Sequence, residues 1–170
     1  LGAMEAVSYA TSASNWGEIK SSDIRTVQDK LSTWAERPSG DNPNDVLDQI
    51  RQIAGSNLNI VRSEIGINEA FSKLADIEKN ILPNLSANSD DQKQIATKIR
   101  QSIEIEGQIT LCRLLGAASL ERKESRGGYF GGAYRVEHPD QDDDDWLKNI
   151  VLTKSNGAIA VSHDAVVKLD

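Results

Sequence analysis

Apolar residues recur at helical spacing through most of the chain. Ala3, Met4, Val7, Ala10 and Ala13 predict a short helix over 3–14, with side chains small enough for close packing. Ile24, Val27 and Leu31 follow at i, i+3 and i+7, and predict a helix over 23–35 with Ser22 or Asp23 as its cap. Arg37-Pro-Ser-Gly-Asp-Asn-Pro43 is a loop by composition. Beyond it Asn44 can cap a helix whose face is Val46, Leu47, Ile50, Ile53 and Ala54. Leu58, Val61 and Ile65 continue that face nearly in phase, which predicts one helix with a bend or short break near 55–59. A helix restarts at Gly66 and carries Ile67, Ala70, Phe71, Leu74, Ile77, Ile81 and Leu82 up to Pro83. With Ser89 as a cap, the longest pattern runs over 90–122, through Ile95, Ile99, Ile105, Ile109 and Leu115. Residues 109–118 are apolar on most sides and predict a central helix buried all round, and Gly107 a close helix crossing.

The pattern then changes period. Ile150–Lys154 and Ala158–Ser162 flank Ser155-Asn156-Gly157, and Asn-Gly between apolar runs is the strongest short hairpin signal. Ala165–Leu169 is a last extended piece. The fold class is mainly α: an antiparallel, spectrin-repeat-like bundle of three long helices with a C-terminal β-hairpin extension. The expected division is a lead-in helix at 1–14, a bundle at 15–122, a glycine-rich and acidic junction with a short helix at 123–149, and a hairpin tail at 150–170. Leu1-Gly2-Ala3-Met4 ahead of a small-residue helix reads as a helix continued from a larger chain, or as a short appended leader.

Composition narrows the function. The 170 residues carry a net charge of −7, which argues against nucleic acid as a partner, because phosphate binding needs clustered Lys and Arg. Aromatics are 5% of the chain, in keeping with an aliphatic helical core. No apolar run is long enough for a transmembrane segment, and one cysteine, Cys112, excludes an internal disulfide and suits a reducing compartment. Cys112 lies in the most apolar part of the long helix and reads as a structural thiol.

The junction concentrates the candidate chemistry. Gly127-Gly128-Tyr129-Phe130-Gly131-Gly132 fails as a phosphate loop, because G-x-G-x-x-G needs glycine where Tyr129 stands. Asp140–Asp145 fails as a calcium loop: Asp145 occupies the glycine position and Val151 that of the closing glutamate. The run reads instead as the acidic N-terminus of a short helix carrying Trp146 and Leu147. His138, beside Glu137 and before Pro139, reads as a surface loop residue rather than a catalytic base. Arg126 and Arg135 can grip carboxylates through their guanidinium forks, with Glu124, Glu137 and the acidic run as the nearest partners.

A family resemblance rests on this stretch. Glu124-Ser125-Arg126-Gly127, then Arg135, then Asp142-Asp143-Asp144-Asp145-Trp146-Leu147-Lys148-Asn149 resembles the E-S-R-G-x-H-x-R and D-D-x-x-W-L-K-H pattern of one flavoprotein family. It is that of the C-terminal domain of the fumarate reductase and succinate dehydrogenase flavoprotein subunit, which includes L-aspartate oxidase. Asn59-Ile60-Val61-Arg62 is similar to the V-x-R end of that family's preceding helix, and the likeness covers about residues 45–160. The chain departs from the pattern at the inserted Tyr129–Gly132 and at Asn149, where the family has histidine.

The resemblance implies a parent enzyme that interconverts fumarate and succinate, or oxidises L-aspartate, through FAD held on a separate domain. Within this chain it implies no catalytic, cofactor-binding or metal residue and no activity of its own. Glu124, Ser125, Arg126, Gly127, Arg135 and Trp146 become interface and loop-fixing residues. The implied partners are the FAD-binding domain of the same chain and, in a multisubunit enzyme, an iron–sulphur subunit. The implied location is the cytoplasm, peripheral to the inner membrane through partner subunits. The sequence also admits a free-standing helical module whose bundle face binds another protein. A stand-alone hydrolase or metalloenzyme finds no acid–base or ligand constellation.

Overall fold

The computed structural model describes residues 2–12, 18–127 and 134–167. The chain divides into two compact units, Leu1–Thr33 and Trp34–Asp170. The first holds α1 (Gly2–Ser12) and most of α2 (Ser21–Glu36). Both helices follow the apolar spacing, and Met4, Val7 and Tyr9 of α1 are exposed. Because α2 begins at Ser21, Ser22 and Asp23 sit inside its first turn rather than before it, where Asp23 still meets the positive end of the helix dipole.

In the second unit α3 (Pro43–Asn57) starts one step earlier than expected. The Asn42 side chain accepts the Asn44 N–H and caps it, with Pro43 in the first turn, where no N–H is needed. The helix breaks within the expected 55–59 but does not resume beyond it: α3 stops at Asn57, and Val61–Arg62 is a strand, β1. The reason is local competition. The Asn59 side chain accepts the Ile60 N–H, and the Ile60 and Arg62 carbonyls are drawn out to accept the N–H groups of Tyr134 and Val136.

Ser63 then caps α4 (Glu64–Asp76) by accepting the Gly66 N–H. A π-helical turn, Ile77–Ile81, and a 3-10 turn containing Pro83, Leu82–Asn84, end it. The 30-residue α5 (Gln92–Glu121) is capped by Asp91, which accepts the Lys93 N–H, rather than by Ser89.

The structure is thus mainly helical, and α3, α4 and α5 each pack on the other two. Their seam is Val46, Leu47 and Ile50 against Ile67, Ala70 and Leu74 and against Ile105, Ile109 and Cys112. These residues recur at three and four along each helix, so one stripe per helix turns inward. The opposite face of α5 is open, with Leu111 66% exposed, so residues 109–118 are not buried all round. The close crossing is also not at Gly107, which has no neighbour within 4 Å of a built Cβ. It is at Gly116, where a Cβ would lie 2.5 Å from the Phe71 ring.

The chain ends in the antiparallel pair β3 (Lys148–Ser155) and β4 (Ala158–Ala165), both in contact with α5. Asn156 and Gly157, at φ 50° and 81°, make the two-residue turn that the Asn-Gly signal requires. Ala165 of the expected last extended piece is absorbed into β4. Among the described residues no helix is long and apolar enough to cross a membrane.

Candidate functional site

The end of α5 runs into the charged stretch that the sequence singles out. Glu124 is fully buried, and its carboxylate collects four donors. Arg122 Nη1 and Arg126 Nε reach Oε1 at 2.5 and 2.6 Å, while Arg126 Nη2 and the Asp142 N–H reach Oε2 at 2.9 Å each. Burial alone would push this carboxyl up; the bonds from Arg126, the Asp142 N–H and Arg122, with the Arg126 charge, outweigh it and hold the group below the usual carboxylate range.

The two arginines carry the tie outward. Arg122 donates to the Trp146 and Lys148 carbonyls at 3.1 and 3.0 Å. Arg126 grips Glu124 as a fork and also donates to Asp143 at 2.6 Å, which keeps its guanidinium firmly protonated. Asp142 caps the short helix α6 (Asp143–Trp146) by accepting the Asp144 and Asp145 N–H groups. The acidic run is thus divided between a cap, a partner for Arg126 and the dipole of that helix.

Ser125 closes a second loop. Its hydroxyl donates to the His138 carbonyl at 2.8 Å and accepts the Arg135 N–H at 2.7 Å. Gly127 follows at φ 86°, a left-handed conformation that the side chain of another residue would strain. Tyr129–Gly132 lies outside the described residues. Arg135, 1% exposed, donates to the Arg122 carbonyl at 3.1 Å and pairs with Glu137 at 3.4 Å and Glu64 at 3.9 Å. Glu137 in turn accepts the Glu64 N–H at 2.8 Å and so neutralises the α4 N-terminus. Trp146 anchors the hairpin: Lys148 Nζ lies 4.3 Å from its ring centroid and the His163 ring meets it edge-on at 5.9 Å. His163 also reaches Glu121 at 3.0 Å. His138 is partly buried and contributes its backbone rather than its ring.

The fold adds an arginine that the periodicity placed on a helix. Arg62 and Arg135 are register partners in the parallel pair formed by β1 and β2 (Tyr134–Arg135). Together with Arg122, Arg126 and Glu124 they line a cleft of about 390 Å³ beside Ser119 and Asn149. Its chemistry is that of a cationic, donor-rich hollow around one buried carboxylate. Among the described residues no group of three or more His, Cys, Asp or Glu side chains could hold a metal ion.

The model of the C-terminal region of the fumarate reductase flavoprotein matches residues 47–168, a span that contains this whole junction. The chain belongs to that family. The fumarate reductase flavoprotein C-terminal fold also appears in the solved structures it resembles. An Escherichia coli quinol fumarate reductase flavoprotein mutant superposes with a TM-score of 0.73 at 19% identity, over 98% of this chain and 28% of that one. An adenosine-5-phosphosulfate reductase in complex with sulfite gives 0.81 at 17% identity, over 98% and 28%. At these identities the likeness shows the fold alone. An uncharacterised FAD-dependent oxidoreductase of Methanocaldococcus jannaschii is 26% identical over 107 residues, 63% of this chain and 18% of that protein. The chain therefore spans under a third of each of these relatives.

The structure brings Glu124, Ser125, Arg126, Arg135 and Trp146 into one connected network, with Gly127 making the left-handed turn after Arg126. The sequence names Asp142 only within the acidic run, gives Arg122 no role, and places Arg62 at a helix end. Charged residues that serve through carbonyls or a backbone N–H leave no spacing signal. Arg62 had one signal, its place in the V-x-R segment.

Proposed function

We propose that this chain is the C-terminal helical domain of an FAD-dependent flavoprotein of the fumarate reductase and succinate dehydrogenase type. In that reading it supports the FAD-binding domain and the subunit contacts, while hydride transfer between flavin and a C4 dicarboxylate, or L-aspartate, takes place elsewhere in the parent enzyme. The observation that carries the reading is the Glu124 network. It welds the end of α5, α6 and the start of β3 into one rigid piece, using the charged groups of the family signature as internal ties. A fully satisfied buried network of this kind stiffens the junction around it.

In this reading the described residues hold no dinucleotide. The place for a pyrophosphate would be the N-terminus of α4, which follows the parallel strand β1. There Glu137 already accepts the Glu64 N–H, and Ser63 already accepts that of Gly66. The apolar side chains of Met4, Val7 and Tyr9 on α1, exposed at 79, 64 and 73%, are the surface we assign to the preceding FAD domain, with α1 as its lead-in helix. The iron–sulphur subunit is the second partner under this proposal.

The test is to incubate the purified chain with FAD, remove free flavin by gel filtration, and assay fumarate and succinate turnover with an artificial electron carrier. The expected result is no retained flavin and no turnover. Stoichiometric flavin with turnover sinks the proposal.

A further inference from the structure

We propose that the cleft between β1, the end of α5 and the start of β3 binds a carboxylate group through the free edge of the Arg62 guanidinium. The inference comes from accounting for donors and charges in that cleft. Of its four arginines, Arg122 and Arg126 share Glu124, and Arg135 has Glu137 and Glu64. Arg62 has no carboxylate within ion-pair distance among the described residues. Its Nε donates to the Leu58 and Asn59 carbonyls at 3.2 and 2.6 Å, and its Nη1 to Ser119 Oγ at 2.9 Å. A guanidinium carries five N–H donors, so the Nη1/Nη2 edge keeps donors to offer.

These bonds fix the guanidinium in place, so little side-chain freedom remains to be lost when a ligand arrives. The neighbour across the register is a second cation. Arg135 is 1% exposed, and its Nε is buried with no hydrogen-bond partner. Like charges opposite one another in a strand pair destabilise it. Burial and the nearby Arg135 together push the Arg62 guanidinium below its ordinary value, the direction expected of a cation with no counter-charge. An incoming carboxylate supplies that charge and accepts two parallel N–H bonds from the free edge.

The 390 Å³ volume suits a small ligand or one inserted side chain. With a net charge of −7 the chain repels diffuse anions, so selection rests on fit to the fork. The carboxylate has two sources, a free polycarboxylate or an Asp or Glu side chain of an adjoining protein surface.

The experiment is an NMR titration of the isotope-labelled 170-residue chain with sodium acetate and with sodium citrate, at ionic strength held constant with sodium chloride. It follows the Arg62 Nε–H and Ser119 amide signals. The expected result is saturable shifts with both acids, absent in Arg62→Gln and weakened about tenfold or more in Arg62→Lys, which keeps the charge but lacks the fork. Arg51→Gln, on α3 beside Asp48, leaves them unchanged. Much tighter binding of citrate than acetate marks a free polycarboxylate, and equal binding marks a single carboxylate of the kind a protein side chain offers; either supports the site. Should Arg62→Gln fail to fold, Arg62→Lys decides. Equal shifts from chloride, or shifts that survive intact in a folded Arg62 variant, overturn it.

Discussion

Replacing Glu124 by Gln tests whether the junction is held by one buried charge. Gln keeps the shape, so no cavity confuses the result. It cannot keep the bonds. Each carboxylate oxygen accepts two donors, Oε1 from Arg122 and Arg126, Oε2 from Arg126 and the Asp142 N–H. Whichever way the amide turns, its NH2 faces two donors and both bonds are lost. Bonds to a charged group contribute about 1.5–3 kcal/mol each, and breaking a buried ion pair from one side costs about 3–5 kcal/mol. Water offsets part of this, because the Arg122 and Arg126 side chains are 23 and 30% exposed. We expect a net loss of about 3 kcal/mol, which moves a urea midpoint down by about 1–2 M. Hydrogen exchange localises it: the Asp142 and Arg135 amides lose about a hundredfold protection, while the Ile105 and Ile109 amides in α5 change only with global stability. The pH dependence has a definite sign. Glu124 has a folded pKa below its unfolded value, so its contribution is fully present above the unfolded carboxylate range of about 4–4.5 and is lost as pH falls through the folded value. The gap between wild type and Glu124→Gln therefore narrows on acidification below about pH 4. A loss under about 1 kcal/mol with unchanged Asp142 exchange refutes the argument, since that is the range of an exposed pair.

Three further outcomes follow from the packing. Gly107→Ala, with open space at its Cβ, stabilises α5 by up to about 1 kcal/mol, whereas Gly116→Ala meets the Phe71 ring and the fully buried Ile67 and costs about 1 kcal/mol net; urea unfolding separates the two. Gly157→Ala, at φ 81° with nothing near its Cβ, costs about 1–2 kcal/mol of backbone strain, read as loss of the cross-strand Leu152–Val161 contacts by NMR. Burial pushes the Cys112 thiol up, so it reacts with a disulfide reagent far more slowly than a free thiol at neutral pH and becomes fully reactive in denaturant; equal rates in both conditions would contradict its place in the core.

Elements fixed by local chemistry were legible in the sequence. The Asn156-Gly157 turn needs two positive φ angles, and few other residue pairs supply them so readily. The helix faces of α3, α4 and α5 follow the three-and-four spacing that any buried stripe imposes. What could not be read is what non-local pairing decides. Val61 and Arg62 continue a helical pattern in the sequence, yet they form a strand because Tyr134 and Val136, more than seventy residues on, need acceptors. The same pairing moved Arg62 from an exposed helix end to the side of Arg135. The close approach was assigned to Gly107 because glycine inside a helix signals a cost, but periodicity does not say which glycine faces the neighbour. Arg126 and Arg135 were recognisable as partners for Glu124, Glu137 and the acidic run because all are near in sequence.

The Glu-Ser-Arg-Gly signature has a physical reading in this chain as a set of internal ties. Glutamate at 124 satisfies two arginines and a backbone N–H at once. Serine is short enough to donate to the His138 carbonyl and accept the Arg135 N–H at once, holding both ends of that turn. Arginine is needed rather than lysine, because the grip on Glu124 uses Nε and Nη2 as a fork while Nη2 also reaches Asp143. Glycine admits the left-handed turn at 127. Each residue of the signature thus answers a demand of the junction itself. Membership of the family therefore specifies how this domain is held together, and under the proposal above the substrate is sought elsewhere in the parent enzyme.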